Sequence, residues 1–202
     1  MAATPKSEPE YTPEDVLRME DGGVYEVVDG RLVEVDVGAL SQLFASQLAR
    51  LIWLFLGKDD ATHVLSGEIG LTIFPWSPGR LRRAGLVVFR PGRLPADALA
   101  RRFFETPPDL VAEVVSPNDT AQEVEVKVQE YLRAGVPLIW LLYPETRTIH
   151  VVRPDGRMTL LGADTNLRGE DALPGFEVRV AEIFRPPANS HACDSATPAA
   201  PP

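Results

Sequence analysis

Pro108-Asp109-Leu110-Val111-Ala112-Glu113-Val114-Val115-Ser116-Pro117 is a short apolar run bounded by prolines, with one acid among its inner positions. Successive side chains on a strand point to opposite faces. Glu113 therefore shares one face with Val111 and Val115, while Leu110, Ala112 and Val114 form the other. Apolar residues on both faces predict a strand covered on both sides. A carboxylate in such a place is costly unless it is paired, hydrogen-bonded or bound to a metal. Two readings follow: a site carboxylate, or a strand-end glutamate that reaches solvent or pairs with a nearby arginine.

The chain downstream of this strand favours a helix almost at once. Thr120-Ala121-Gln122-Glu123 is a capping box, and Gly135 is a natural residue just past the helix end. Ala121, Val124, Val128, Tyr131 and Leu132 form its apolar stripe, with Lys127 at one edge, where its stem can lie along the sheet and its ammonium can turn inward. Because only Ser116-Pro117-Asn118 separates strand from helix, Glu113 and Lys127 can meet near the strand's C-terminal end, where open α/β sheets place sites. The plain alternative is an exposed i, i+4 pair between Glu123 and Lys127.

The rest of the chain supplies a layered α/β domain. Thr12-Pro13-Glu14-Asp15 starts a helix, which Gly22-Gly23 ends. Strands over 25–28 and 31–37 flank Asp29-Gly30, the favoured hairpin dipeptide. Leu40, Leu43, Phe44, Leu48, Leu51, Ile52 and Phe55 recur at helical spacing up to Gly57 and read as core. Further strands are expected over 63–74 (bent at Gly67 or Gly70), 86–89, 138–143, 149–152, 158–161 and 176–180. The polar leader over 1–10 and the Pro/Ala-rich tail over 186–202 read as disordered, leaving one domain over 11–185.

Composition is that of a soluble globular protein: 45% hydrophobic and 24% charged among 202 residues. The single cysteine, Cys193, forms no internal disulfide, and no Cys/His group has zinc-ligand spacing. With no basic-then-apolar N-terminal segment and no apolar run near the ~20 residues of a membrane span, the expected location is cytoplasmic and no membrane partner is expected. The net charge of −9 argues against nucleic acid. Its distribution argues the other way. Positions 80 to 102 hold Arg80, Arg82, Arg83, Arg90, Arg93, Arg101 and Arg102 against Asp97 alone, a local +6. Such a segment is either a phosphate-binding patch or a solvated loop balancing acidic neighbours.

The run Pro-Asp-Leu-Val-Ala-Glu-Val-Val-Ser-Pro-Asn-Asp … Glu-Val-Lys-Val-Gln-Glu-Tyr-Leu-Arg-Ala-Gly-Val-Pro-Leu-Ile-Trp, residues 108–140, closely resembles the bacterial putative restriction endonuclease family of the PD-(D/E)XK nuclease superfamily. Tyr25-Glu26-Val27-Val28-Asp29-Gly30, Pro144-Glu145-Thr146-Arg147-Thr148 and Leu173-Pro174-Gly175-Phe176 extend the resemblance over about 11–184. It implies a restriction-endonuclease-like fold, with a mixed central sheet flanked by helices and peripheral hairpins. It also implies a DNA endonuclease dependent on Mg²⁺ or Mn²⁺, because hard cations prefer carboxylate oxygens and neutralise charge at phosphorus. In that pattern Glu113 is a metal ligand, Lys127 takes the role of the catalytic lysine and Glu26 is an assisting acid. Arg80, Arg82 and Arg83 are the expected nucleic-acid contacts.

One position departs from the family. Where relatives read Arg-Pro-Asp-Val, this chain reads Arg83-Ala84-Gly85-Leu86, so Gly85 stands at the metal-binding aspartate position and offers no ligand. Glu68 on the preceding strand is a candidate substitute. Ser41 stands where relatives often carry histidine. Weakened hydrolysis is therefore one expectation, and a nuclease fold retained as a nucleic-acid or protein binding module is the other. Cutting two strands takes two sites, which leaves a homodimer open.

Overall fold

The computed structural model describes residues 10–35, 38–58 and 60–185. The expected tail, the leader up to residue 9 and the end of the second hairpin strand at 36–37 lie outside the described residues.

Six strands form the central sheet: β3 (His63–Leu71), β4 (Arg82–Phe89), β5 (Leu110–Val114), β6 (Ile139–Tyr143), β7 (Thr148–Val152) and β8 (Met158–Leu161), in that spatial order. All neighbours are antiparallel except β5 and β6, which run parallel with Glu113 opposite Leu141. A parallel pair needs a crossover. Helix α3 (Ala121–Arg133) supplies it, capped as the Thr120/Glu123 pattern requires, with Gly135 in the left-handed region at φ 89°.

Two apolar layers confirm the alternation on β5. Leu110, Ala112 and Val114 join the core beneath α2 (Ala39–Leu56), together with Phe44, Leu48, Ile52 and the fully buried Trp140. Val111 and Val115 join the opposite core, with Val128 and Tyr131 of α3. Full burial of side chains such as Leu48 contributes about 1.5–3 kcal/mol each. Among the described residues α2 alone is long and apolar enough to cross a membrane, and its buried stripe packs on the sheet. Not all of its apolar row is core: Leu40 and Phe55 stay 54% and 44% exposed.

Smaller elements sit around the sheet. Helix α1 (Pro13–Arg18) has the expected Thr12 cap, and a 3-10 turn follows at Gly22–Val24. β1 (Tyr25–Val28) and β2 (Arg31–Glu34) form the hairpin, with Asp29 and Gly30 both at positive φ. β9 (Asn166–Arg168) pairs with β10 (Glu177–Arg179), and α4 (Val180–Ile183) follows. β9 and α4 carry no periodic signal long enough to announce them.

β2 ends at Glu34 and β10 spans Glu177–Arg179, each shorter than expected, and β3 and β4 differ for physical reasons. β3 stops at Leu71 rather than 74 and carries a bulge between Ser66 and Ile69. Gly67 (φ 103°) and Glu68 (φ 56°) take up that bulge. β4 starts at Arg82, four residues earlier than its apolar run, and both of its leading arginines are buried.

Candidate active site

The C-terminal half of β5 carries Glu113 to the floor of a cleft of about 550 Å³. Val115 and Lys127 of the strand-to-helix unit line it, with Glu26 from β1, Glu68 from the β3 bulge, Gly85 from β4 and Ser41 and Gln42 from the start of α2. The sequence therefore brings Glu113, Lys127, Glu26, Glu68 and Gly85 into one place.

Glu113 is partly buried, and its donors are a tyrosine and a backbone amide rather than an arginine. Its Oε1 accepts a 2.7 Å hydrogen bond from the Tyr131 hydroxyl, and its Oε2 accepts a longer one, 3.4 Å, from the Gly85 N–H. Burial pushes its carboxyl up to about 7, which Lys127 and Tyr131 oppose and Glu26 and Glu68 reinforce. Tyr131 is itself fully buried, and burial beside Glu113 holds its hydroxyl well above the usual range, so it stays a donor. Its place in the stripe disguised it as core; the signal available was its position one helical turn after Lys127 on the same face.

Lys127 does not pair with Glu123, which serves the Thr120 cap instead. Its Nζ lies 2.8 Å from Glu26 Oε1. Burial alone would lower the ammonium's pKa, but the Glu113 and Glu26 carboxylates outweigh it and hold it above its ordinary value. Glu26 is nearly inaccessible, at 2%. Its Oε1 also accepts the Arg83 N–H at 2.9 Å, and its Oε2 accepts Arg82 Nη1 at 2.8 Å. Burial would raise this carboxyl, yet Lys127, Arg82 and these bonds keep it below its ordinary value. Glu68 is raised by burial, and the Gln42 amide donates to it at 3.4 Å.

Arg82 and Arg83 line the cleft but are only 6% and 7% exposed, and their donors are taken up inside the protein. Arg82 also grips Glu130 of α3, through Nε at 2.6 Å and Nη2 at 3.2 Å. Arg83 donates to the carbonyls of Tyr25, Glu68 and Gly22. Arg80 pairs with Asp29 and Glu130. Farther along, Arg90 and Arg93 reach Asp109, and Arg101 reaches Asp97 and Glu105. The +6 segment is largely neutralised by partners from elsewhere in the chain.

The donor set does not fit a resident divalent cation. Gly85 supplies no carboxylate, Glu26 is held by Lys127 and Arg82, and both Glu113 oxygens already accept protein hydrogen bonds. Among the described residues no three His, Cys, Asp or Glu side chains converge closely enough to hold a metal.

Glu113 carries a stability signature. Its folded carboxyl is raised to about 7 from 4.5, so between those values the folded state keeps a proton that the unfolded chain has released. Stability contributed there falls as pH rises. Glu113→Gln is therefore expected to gain stability relative to the wild type between pH 5 and pH 8, measured by urea unfolding. A difference that stays constant across that range contradicts this reading of the carboxyl.

The chain resembles a putative nuclease of the DUF820 group from Anabaena variabilis, whose crystal structure superposes with a TM-score of 0.71. The two share 18% identity over 86% of this chain and 97% of that one, a likeness of fold. No curated protein matches. Residues 13–181 match the Uma2 family, described as putative restriction endonuclease, and this chain belongs to that family.

Proposed function

We propose that this protein is a nuclease that acts on DNA phosphodiester bonds in the Glu113–Lys127 cleft, with its hydrolytic output held low by the glycine at position 85. The observation that carries the reading is the convergence of Glu113, Lys127, Glu26 and Glu68 in one cleft at the C-terminal end of β5, in a chain of a nuclease family. Lys127 supplies positive charge for a phosphate oxygen. Glu113, with its carboxyl near 7, is present in both protonation states at neutral pH and can take a proton from attacking water. Tyr131 fixes Oε1, which leaves the weakly bonded Oε2 to face the reaction. Glu26 holds the lysine in position. The Mg²⁺ or Mn²⁺ that the family resemblance implies would find in this chain one well-placed acid, Glu113, and no step is assigned to it.

A second reading, DNA binding without turnover, is favoured by Gly85 alone. One pair of measurements separates the two. Fluorescence anisotropy with a short DNA duplex should show binding at low ionic strength that weakens steeply with salt, because phosphate contacts release counter-ions. Plasmid nicking should be slow in the wild type and lost in Glu113→Gln. Binding without any nicking supports the second reading. Absence of binding at every ionic strength, or nicking undiminished in Glu113→Gln, removes the cleft from consideration.

A further inference from the structure

We infer that Lys127 is an internal counter-ion to the acids of the cleft, so that the unliganded cleft excludes divalent metal until that positive charge is removed or outweighed by a further carboxylate. Three acids, Glu26, Glu68 and Glu113, line the cleft around one ammonium. All three interact electrostatically with it, and Glu26 touches it at 2.8 Å. The oxygens of Glu26 and Glu113 are already served. Glu26 Oε1 takes Lys127 and the Arg83 N–H, and its Oε2 takes Arg82. Glu113 Oε1 takes Tyr131, and its Oε2 takes the Gly85 N–H.

Two physical consequences follow. A divalent ion entering the cleft meets a partly buried like charge at short range, where screening by water is reduced. It must also strip protein donors from the carboxylates, and each stripped donor is left buried without a partner. The glycine at 85 belongs to the same arrangement. An aspartate there would add a fourth acid to the three that already face the one ammonium. Arg82 of β4 and Glu130 of α3 extend the arrangement, because Arg82 holds Glu26, the β1 carboxylate that the ammonium contacts.

The inference concerns the unliganded cleft. Its probe is the metal alone, so it stands or falls separately from the phosphodiester reading. Isothermal titration with Mn²⁺ should show no saturable binding to the wild type at about 1 mM, the weak end of protein cation sites. Lys127→Gln keeps an amide donor for Glu26 but removes the charge. It should bind one Mn²⁺ at least roughly tenfold more tightly than the wild type. Lys127→Met repeats the test without the amide, and circular dichroism with urea unfolding verifies that each variant is folded. Stoichiometric binding to the wild type below about 100 μM, abolished by Glu113→Gln, overturns the inference. Equal or weaker Mn²⁺ binding by the folded Lys127 variants overturns it as well. The wild-type titration decides even if both variants fail to fold.

Discussion

Gly85→Asp is expected to gain both metal affinity and activity. Position 85 lies on β4 beside the Glu113 carboxylate, close enough for its N–H to donate to Oε2. By strand alternation its side chain would emerge on the face of Val87 and Phe89, which is the face of Val111 and Glu113. A Cβ there would lie 3.3 Å from the Ala112 carbonyl oxygen and 3.8 Å from the Val114 nitrogen. The first contact is tight and asks the backbone of β5 to give by a few tenths of an ångström. No positive φ opposes the change, since Gly85 is absent from the glycines in the left-handed region. A second carboxylate beside Glu113 tips the cleft toward a cation despite Lys127. A bound metal stabilises charge at phosphorus by several kcal/mol, so plasmid nicking in Mn²⁺ should rise by roughly 10²-fold. Unchanged metal affinity and unchanged nicking would mean that position 85 is not the missing ligand position.

Arg82→Met is expected to cost about 3–5 kcal/mol, the range for removing one partner of a buried ion pair. The guanidinium bridges two acids from different elements, Glu26 of β1 and Glu130 of α3, and all three groups are buried. Methionine fills much of the volume but leaves Glu130 to Arg80 and Glu26 to Lys127. Urea unfolding at pH 7 measures the loss. The pH dependence follows from Glu26, whose folded carboxyl lies below its ordinary 4.5. Its contribution is present above that value and fades as pH falls through the lower folded one. The deficit of the variant should therefore shrink in acid. A deficit under about 1 kcal/mol at pH 7 would place this network among ordinary surface pairs.

The frame of the site was legible in the sequence because it rests on short-range rules. Alternation along β5 put Glu113 opposite the α2 core, and the capping box fixed where α3 begins. Helical phase then set Lys127 at the edge of the buried stripe. The partners were not legible, because they are tertiary. Glu26 is 56 residues from Arg82, and no local pattern links them. The same blindness produced the arginine patch. Counting charge along 80–102 ignores Glu130, Asp29 and Asp109, which approach from other elements. It also hid the start of β4, since Arg82-Arg83 reads as a loop until their acids are supplied. Tyr131 was read by its apolar ring and missed by its hydroxyl. Glu68 required the β3 bulge, whose two residues at positive φ turn the strand locally.

The most direct test sets Gly85→Asp against the double variant Gly85→Asp/Glu113→Gln on the same plasmid in Mn²⁺. If residues 85 and 113 form one reacting centre, the nicking gained by the single variant disappears in the double. A double variant that nicks as fast as Gly85→Asp would show that Glu113 takes no part, and would contradict the cleft described above.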